Sequence, residues 1–186
     1  MPYNIVMKEL YDKMIECRRC ELSGSRANIV FGDGDVKSSM LFIGEAPGAA
    51  EDLKGIPFVG DAGKYLDSLL ESVGVNRCNV YITNMIKCRP PNNRTPLKSE
   101  IDACSQWLDK QIKIIKPRII AMLGAVVLNK FLPAEKISHF HGKAKMIDDV
   151  IYFALYHPAA ILHNRLLKPE IEEDFRRLAL VLKRFE

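Results

Sequence analysis

Three polar side chains come directly after apolar runs that have the length of buried strands. Glu45 follows the run 40–44, Asn84 follows 80–83, and His157 follows 151–156. In an open parallel sheet the carboxyl ends of the strands share one edge, where ligands bind. Histidine and carboxylates are common proton donors and acceptors, and an amide offers a ligand both a donor and an acceptor. One such residue alone is more often structural, but three at one rim indicate a binding or catalytic site.

Four of the five cysteines have the spacing of metal ligands. Cys17 and Cys20 form a Cys-x-x-Cys pair in a polar segment, and Cys88 and Cys104 are the other candidate ligands. Four buried reduced thiols are the alternative, because free cysteine packs well as a small apolar residue. Zinc and a [4Fe–4S] cluster both accept four thiolates, so spacing alone does not choose between them. Cys78 is interpreted as an ordinary buried or half-buried thiol.

The elements that must position these residues alternate along the chain. Short apolar runs separate segments of helical periodicity, which is typical of a layered α/β sheet. The predicted strands are 40–43, 80–83, 119–123 and 151–156, and the predicted helices are 4–16, 64–73, 98–115, a short helix from 125 toward 131, and 170–185. We therefore expect one domain over residues 1–186, a three-layer α/β/α fold with a central four-stranded parallel sheet.

The bulk composition excludes several classes of protein. With 48% hydrophobic and 27% charged residues the composition is that of an ordinary soluble protein, and the longest apolar runs are far too short to cross a bilayer. The N-terminal segment has no signal-peptide pattern, which predicts a cytoplasmic protein. Five cysteines in such a chain argue against a disulfide framework. The net charge of +4 fits a nucleic-acid partner, although many metabolic enzymes are equally basic.

Three blocks of sequence carry a resemblance to a known family. They are Gly44-Glu45-Ala46-Pro47-Gly48 with Glu51-Asp52 and 55–63, then Tyr81-Ile82-Thr83-Asn84 with Lys87-Cys88-Arg89-Pro90-Pro91, and then His157-Pro158-Ala159-Ala160. Together with the four cysteines, they resemble the type 4, iron–sulfur uracil-DNA glycosylases over most of the chain. The resemblance implies an enzyme of base excision repair that flips uracil out of DNA and hydrolyses its N-glycosidic bond, leaving an abasic site. It also implies one structural [4Fe–4S] cluster on Cys17, Cys20, Cys88 and Cys104, with zinc less favoured.

The resemblance implies a role for each residue of the uracil pocket. Phe58, expected on an exposed turn, stacks on the base. Glu51 fills the space beside C5, where thymine carries its methyl group; an exposed loop charge is the alternative. Asn84 pairs its carboxamide with uracil N3–H and O4, whereas cytosine presents the opposite pattern at that edge. His157 donates a hydrogen bond to O2 as negative charge develops on the departing base.

Glu45 and Ala46 bear on how water is activated. Type 1 uracil-DNA glycosylases carry an aspartate where this chain has Ala46, so the obvious general base is missing. Glu45 is the nearest carboxylate that can orient or activate water, and contact with the base is its other candidate role. Main-chain amides around Glu45 and Ala46 can also hydrogen-bond the departing base. The predicted catalytic residues are therefore Glu45 and His157.

The predicted DNA contacts are basic side chains for phosphates and an apolar wedge for the gap that the flipped base leaves. They are Arg89, Arg94, Ile161, Leu162, His163 and Arg165, and Lys87 is a further candidate phosphate contact. For the segment that contains Ile161 and Leu162, a helix start packed into the core is an equal alternative to the wedge.

Two other functions remain open at this point. One is a glycosylase for another deaminated base such as hypoxanthine, and the other is an iron–sulfur DNA-binding or redox-sensing protein without catalysis. A zinc-dependent hydrolase is disfavoured, because the rim lacks a suitable set of histidine and carboxylate ligands. The expected partner is uracil-containing DNA, single- or double-stranded, bound by a monomer in the cytoplasm, near the nucleoid, with no membrane contact.

Overall fold

Six strands and eight α-helices are present in a computed structural model of the chain, which describes residues 2–184, with side chains from Ile5 onward. The strands are β1 (Asp33–Gly34), β2 (Met40–Gly44), β3 (Tyr81–Asn84), β4 (Ile119–Leu123), β5 (Ala144–Ile147) and β6 (Val150–Leu155). The helices are α1 (Pro2–Ile15), α2 (Ala49–Lys54), α3 (Asp61–Ser72), α4 (Lys98–Ile115), α5 (Ala125–Phe131), α6 (Ile137–Phe140), α7 (Ala160–His163) and α8 (Lys168–Leu182). None of the described helices combines the length and apolar character that a membrane span requires.

The strands form one sheet in the order β1-β3-β2-β4-β6-β5. The four inner strands, β3, β2, β4 and β6, are parallel neighbours, and β1 and β5 pair antiparallel with the two edges. The four predicted strands and their parallel arrangement are thus confirmed. Their carboxyl ends share one edge, so the loops that follow β2, β3 and β6 meet there.

Side-chain alternation along the strands divides the core into two layers. In β4, Ile120 and Met122 cluster with apolar residues of α1, α4 and α5, whereas Ile119, Ala121 and Leu123 cluster with α3 and α8. Every residue of β4 is buried, because helices cover both faces of the sheet. This is the predicted three-layer α/β/α arrangement.

The two edge strands are the part of the sheet that the sequence analysis missed. β1 has only two residues, both exposed, and β5 exposes three of its four residues, so neither has the apolar run by which the inner strands were found. β5 and β6 form a hairpin whose turn residues Asp148 and Asp149 have φ values of 48° and 63°. Positive φ at both positions is the signature of a tight hairpin turn, but Asp-Asp is not its usual sequence.

The predicted helices agree with the structure to within a few residues. α4 has the predicted bounds and ends at Lys116 in the left-handed region, just before Pro117. α1, α3 and α8 each begin two or three residues earlier than predicted. The predicted end of the last helix, Phe185, lies outside the described residues. The short helix α2 is absent from the predicted elements, because six residues between Gly48 and Gly55 are too few to show a helical repeat.

Candidate active site

A cleft of about 490 Å³ opens where β2, β3 and β6 end. All six residues that the sequence analysis assigned to uracil lie on its walls: Glu45, Ala46, Glu51, Phe58, Asn84 and His157. They come from three strand ends and from α2 and the loop after it. The cleft continues toward Pro90, Asn93, Arg94, Ala159 and His163. The arrangement therefore joins a deep polar end to an outer edge with basic residues.

Asn84 is the last residue of β3 and is almost fully buried, with 1% of its surface exposed. Its side-chain oxygen Oδ1 has no hydrogen-bond partner in the described part of the chain. A buried acceptor left unpaired costs about 1–3 kcal/mol, so this oxygen requires a donor from a ligand or from water. Gly44, beside it on β2, makes the room: a Cβ there would overlap Asn84 Oδ1 and lie 2.6 Å from Cζ of Phe58.

Phe58 is not on an exposed turn, contrary to the prediction, because only 6% of its surface is exposed. Its φ of 52° is unfavourable for a side chain of this size, and the surrounding structure holds it in place. Arg77 donates hydrogen bonds to the carbonyl oxygens of Pro57 at 2.7 Å and Phe58 at 3.2 Å, and a Cβ at Gly63 would collide with the Phe58 carbonyl. The ring therefore has a fixed position, where it stacks against His157 with centroids 5.7 Å apart.

Glu51 organises the loop that carries Phe58. It lies in the first turn of α2, and its carboxylate accepts hydrogen bonds from the main-chain amides of Gly48 at 3.1 Å, Val59 at 3.0 Å and Gly60 at 2.8 Å. The side chain is half-buried on the cleft wall. The alternative of an exposed loop charge is therefore wrong. Whether Glu51 also lies beside C5 of a bound uracil stays a prediction.

His157 is a neutral hydrogen-bond donor in this arrangement. Burial lowers its pKa to about 4, and the nearby charge of Glu51 only partly opposes that effect. Its Nδ1 accepts a hydrogen bond from the main-chain amide of Ala159 at 3.1 Å. Because Nδ1 acts as the acceptor, the proton of the neutral ring lies on Nε2. Nε2–H is then the group that a ligand can use.

Glu45 is the half-buried carboxylate of the cleft that no hydrogen bond ties down within residues 2–184. Partial burial raises its pKa, which suits a group that accepts a proton or orients water. Ala46, beside it, brings only a methyl group. Glu51, the other carboxylate on the wall, already uses its oxygens for main-chain amides.

The predicted DNA contacts differ in whether their side chains already have hydrogen-bond partners within the protein. Arg94 lines the cleft, but its guanidinium makes two bonds to the Glu100 carboxylate, at 2.9 and 2.6 Å. Arg89 donates to the side chain of Asn93 at 2.7 Å. His163 and Arg165 are exposed, and His163 lies on the cleft wall.

The apolar segment after His157 divides between the two alternatives given for it. Ile161 is half-buried and packs against the core layer of α3 and α8, as a helix start would. Leu162 has 58% of its surface exposed, and it belongs to the short helix α7. The wedge hypothesis therefore rests on Leu162 rather than on Ile161.

Lys87 cannot contact phosphate, contrary to the prediction, because it is 1% exposed. Its ammonium group donates to Thr83 Oγ1 at 2.6 Å, to the Asn84 carbonyl at 2.7 Å and to Gln111 Oε1 at 2.6 Å. Burial lowers the pKa of Lys87 to about 7, and the thiols of Cys104 and Cys88 oppose that effect. Gln111 was missed from the sequence, since a polar residue on the buried side of a helix gives no signal of its partner.

The four candidate ligand cysteines line one small cavity between α1, α4 and the loop after β3: Cys17, Cys20, Cys88 and Cys104. N–H groups reach three of these sulfurs. Arg26 donates to Cys88 Sγ at 3.3 Å, Trp107 donates to Cys17 Sγ at 3.4 Å, and the main-chain amide of Lys87 donates to the thiol of Cys104. Among residues 2–184 no three cysteine, histidine or carboxylate side chains come together tightly enough to hold a single metal ion. The fifth cysteine, Cys78, is exposed, so its predicted burial is wrong.

Comparison with known proteins gives a consistent result. Residues 31–179 match the uracil DNA glycosylase superfamily. A type-4 uracil-DNA glycosylase of Archaeoglobus fulgidus is 41% identical over 181 residues, which cover 92% of this chain and 91% of the relative. One from Saccharolobus solfataricus is 44% identical, over 90% of this chain and 82% of the relative. A type-5 uracil-DNA glycosylase of Pyrobaculum aerophilum is 32% identical, over 78% and 73%.

Proposed function

This chain belongs to the uracil DNA glycosylase superfamily and is a DNA repair glycosylase that excises uracil, and from that premise we propose how its cleft does so. The cleft at the ends of β2, β3 and β6 binds a uracil nucleotide flipped out of DNA. Its residues then hydrolyse the bond between base and sugar. A flipped nucleotide is required, because the reacting bond is out of reach inside a duplex.

The buried, unpartnered oxygen of Asn84 is the observation that carries this proposal. Uracil supplies the missing donor through N3–H, and the amide nitrogen of Asn84 donates to O4. Cytosine has no proton at N3 and an amino group in place of O4, so the same amide would face an acceptor with its acceptor and a donor with its donor. That mismatch costs about 1–3 kcal/mol for each group left unpaired, which favours uracil.

Phe58 and Glu51 complete the specificity of the pocket. The fixed ring of Phe58 offers a stacking surface at no further cost in ordering. The carboxylate of Glu51 bonds both ends of the segment from Gly48 to Gly60 and so holds them together. This segment, which includes Glu51 itself, fills the space beside C5 of the bound uracil. A rigid wall at that position excludes the methyl group of thymine by shape.

His157 stabilises the base as the bond breaks. The electron pair of the breaking bond moves onto the uracil ring, and Nε2–H of His157 donates to O2, where the charge gathers. A preorganised donor of this kind is worth about 3–4 kcal/mol. Because the ring is neutral, it donates a hydrogen bond to the anion without delivering a full proton.

Glu45 orients the water that attacks the sugar. Positive charge develops on the sugar in the transition state, so the incoming water needs placement more than strong activation. The half-buried carboxylate of Glu45 is the free acceptor on the cleft wall for that water. Ala46 carries only a methyl group, which cannot hydrogen-bond water, so the role falls to Glu45.

The outer edge of the cleft grips DNA. Leu162 enters the gap that the flipped nucleotide leaves, and the exposed His163 and Arg165 lie near it in sequence for phosphate contacts. Arg94 lines another part of the cleft and Arg89 lies five residues before it in sequence, each held by a neighbour, Glu100 or Asn93. The protein acts as a monomer in the cytoplasm, where it reaches uracil in the genome.

The cysteine cavity is the site for the [4Fe–4S] cluster that the resemblance implies. Its four thiols line one space, and four thiolates are the ligand set that such a cluster takes. Hydrogen bonds from Arg26 and Trp107 to sulfur are the kind of contact that thiolates of such a cluster accept. Cys17 and Cys20, just after α1, would hold the cluster together with Cys88 in the loop after β3 and Cys104 on α4, and it would supply a structural cross-link between these segments.

The test uses an end-labelled oligonucleotide with one uracil, incubated with anaerobically purified protein and then cleaved at abasic sites with alkali. Asn84→Ala and His157→Ala are compared with Asn129→Ala and His139→Ala, which change exposed residues of the same types outside the cleft. We expect cleavage at uracil that only the first two variants weaken. Cleavage at hypoxanthine in place of uracil would move the substrate to another deaminated base. DNA binding without cleavage of any base would leave an iron–sulfur binding or sensing protein.

A further inference from the structure

Lys87 lies in the wall that separates the cleft from the cysteine cavity. Its side chain lines that cavity, and its ammonium group contacts Asn84 on the cleft side. No carboxylate forms an ion pair with it among residues 2–184. Ionised thiols of Cys88 and Cys104 in the adjoining cavity can offset its charge, but the hydrogen bonds that the structure shows for the ammonium group go to the end of β3 and to Gln111. An apolar residue of similar length would fill the same space without the cost of burying a charge. The lysine therefore needs an explanation beyond packing.

The three acceptors around Lys87 all bear on the end of β3. Thr83 and Asn84 are the last two residues of that strand, and Gln111 belongs to α4 on the far side of the ammonium group. Gln111 is itself held in place, since its amide donates to the carbonyl of Phe31 at 2.9 Å. The ammonium group thus ties the end of β3 to a fixed point on α4.

One of the hydrogen bonds from Lys87 goes to Asn84, the residue that is proposed to recognise the base. Among residues 2–184 the side-chain oxygen of Asn84 has no hydrogen-bond partner, so packing and the contacts of its backbone fix the direction of the carboxamide. The peptide after Asn84, the last residue of β3, is held on both sides: its carbonyl oxygen accepts from the Lys87 ammonium at 2.7 Å, and its N–H, from Met85, donates to the Gly44 carbonyl at 2.7 Å. Loss of the bond to Lys87 would release the carbonyl side, so the peptide could tilt about its remaining bond to β2 and move the carboxamide out of line.

We propose that Lys87 is a positioning residue for uracil recognition, which holds the carboxamide of Asn84 in the orientation that pairs with the base. This rests on the function proposed for the cleft. The role is recognition through Asn84; Lys87 itself does not touch the substrate.

The experiment is a double-mutant cycle of Lys87→Met and Asn84→Ala on the cluster-loaded protein. Uracil excision is measured as kcat/KM, together with inhibition by free uracil, and iron content and thermal unfolding are followed in each variant. Lys113→Met is the matched control, because Lys113 is exposed on the same helix as Gln111. Gln111→Leu tests the same contact from the other partner. It removes one of the three acceptors of the Lys87 ammonium group and leaves both Lys87 and the cysteines in place.

We expect Lys87→Met to lower kcat/KM by about tenfold or more and to weaken inhibition by free uracil in parallel, as loss of one buried hydrogen-bond geometry would. In the Asn84→Ala background the same change should cost less than about threefold, because the group it positions is already gone. Gln111→Leu should show the same non-additivity, and Lys113→Met should change nothing.

Two results would overturn the proposal. One is a double variant whose loss in kcat/KM equals the product of the losses in the two single variants. Lys87 would then act on stability or on the cluster independently of Asn84. The other is normal uracil inhibition in both Lys87→Met and Gln111→Leu. If Lys87→Met fails to fold or to hold iron, the cycle with Gln111→Leu decides alone. Wild-type protein that does not excise uracil would refute the proposed function instead, so the two failures are distinct.

Discussion

The cleft and the cysteine cavity share the segment after β3 and use it in opposite ways. Asn84 faces the cleft with an acceptor that has no partner among residues 2–184, whereas Cys88, four residues on, lies in a cavity where N–H groups already reach three of the sulfurs. The polar atoms of the cleft are already in position before a ligand binds. The cavity joins segments that are far apart in sequence, from Cys17 to Cys104. One short segment therefore carries both a residue for base recognition, Asn84, and a residue for structural cross-linking, Cys88.

If this division is right, changes to the cysteines and to the side chains that donate to their sulfurs should lower stability and iron content without altering base selectivity. Changes in the cleft should lower uracil excision and leave iron content unchanged. Four experiments test the contrast.

The largest effect is expected from Cys88→Ser, with Cys78→Ser as its control. Loss of a cluster ligand should lower the free energy of unfolding by about 4 kcal/mol or more, because binding of the cluster is coupled to folding. Cys78 is exposed and outside the cavity, so its replacement should be neutral. Thermal unfolding and iron analysis measure both variants. Full iron content in Cys88→Ser would break the assignment of the cavity.

A smaller effect on stability is expected from Gly44→Ala. The added methyl group would overlap Asn84 and Phe58, and relief of that overlap should cost about 1–3 kcal/mol and displace both groups that contact the base. Uracil excision should fall while iron content stays at the wild-type level. Gly24→Ala is the control, since a Cβ there meets no atom within 4 Å. Equal excision by the two variants would contradict the geometry of the cleft.

The pH dependence of stability should carry a signature of His157. The pKa of His157 is about 4 in the folded protein, against 6.5 for the ordinary side chain. Between those values the unfolded chain binds the extra proton, so this contribution to stability is complete above the higher value and is lost as pH falls toward the lower one. The loss should reach about 3 kcal/mol by pH 4.

His157→Gln isolates that signature, because the glutamine does not titrate. Subtracting the variant's unfolding free energies from those of the wild type at each pH removes the opposing contribution of Glu45, whose pKa is raised. A difference that is flat across the acid range would show that His157 is not desolvated in the cleft.

The smallest effect is expected from Trp107→Phe. This change removes the N–H that reaches Cys17 at 3.4 Å and keeps an aromatic ring in the core. We expect a loss of about 1 kcal/mol or less in stability, with a modest loss of iron on incubation and unchanged selectivity for uracil. Altered discrimination between uracil and cytosine in this variant would show that the two regions are not separate.

The four inner strands were predictable because both of their faces are buried, which leaves continuous apolar runs in the sequence. The rim residues were predictable for a related reason: Glu45, Asn84 and His157 each come directly after such a run. The exposed edge strands had no such signal. Lys87 and Cys78 were both assigned the wrong environment, because residue type alone says little about burial in a loop.

By itself the sequence determined the four inner strands, their parallel connections and the set of polar residues at their carboxyl ends, since hydrophobic periodicity and strand ends are local properties. Only the tertiary structure decided which polar groups are already satisfied. It bonds Glu51 to three main-chain amides, turns Lys87 inward and leaves Asn84 Oδ1 without a hydrogen-bond partner among residues 2–184. The physical reason is that a hydrogen bond between distant segments depends on where both chains arrive in space, and no spacing along the sequence records that.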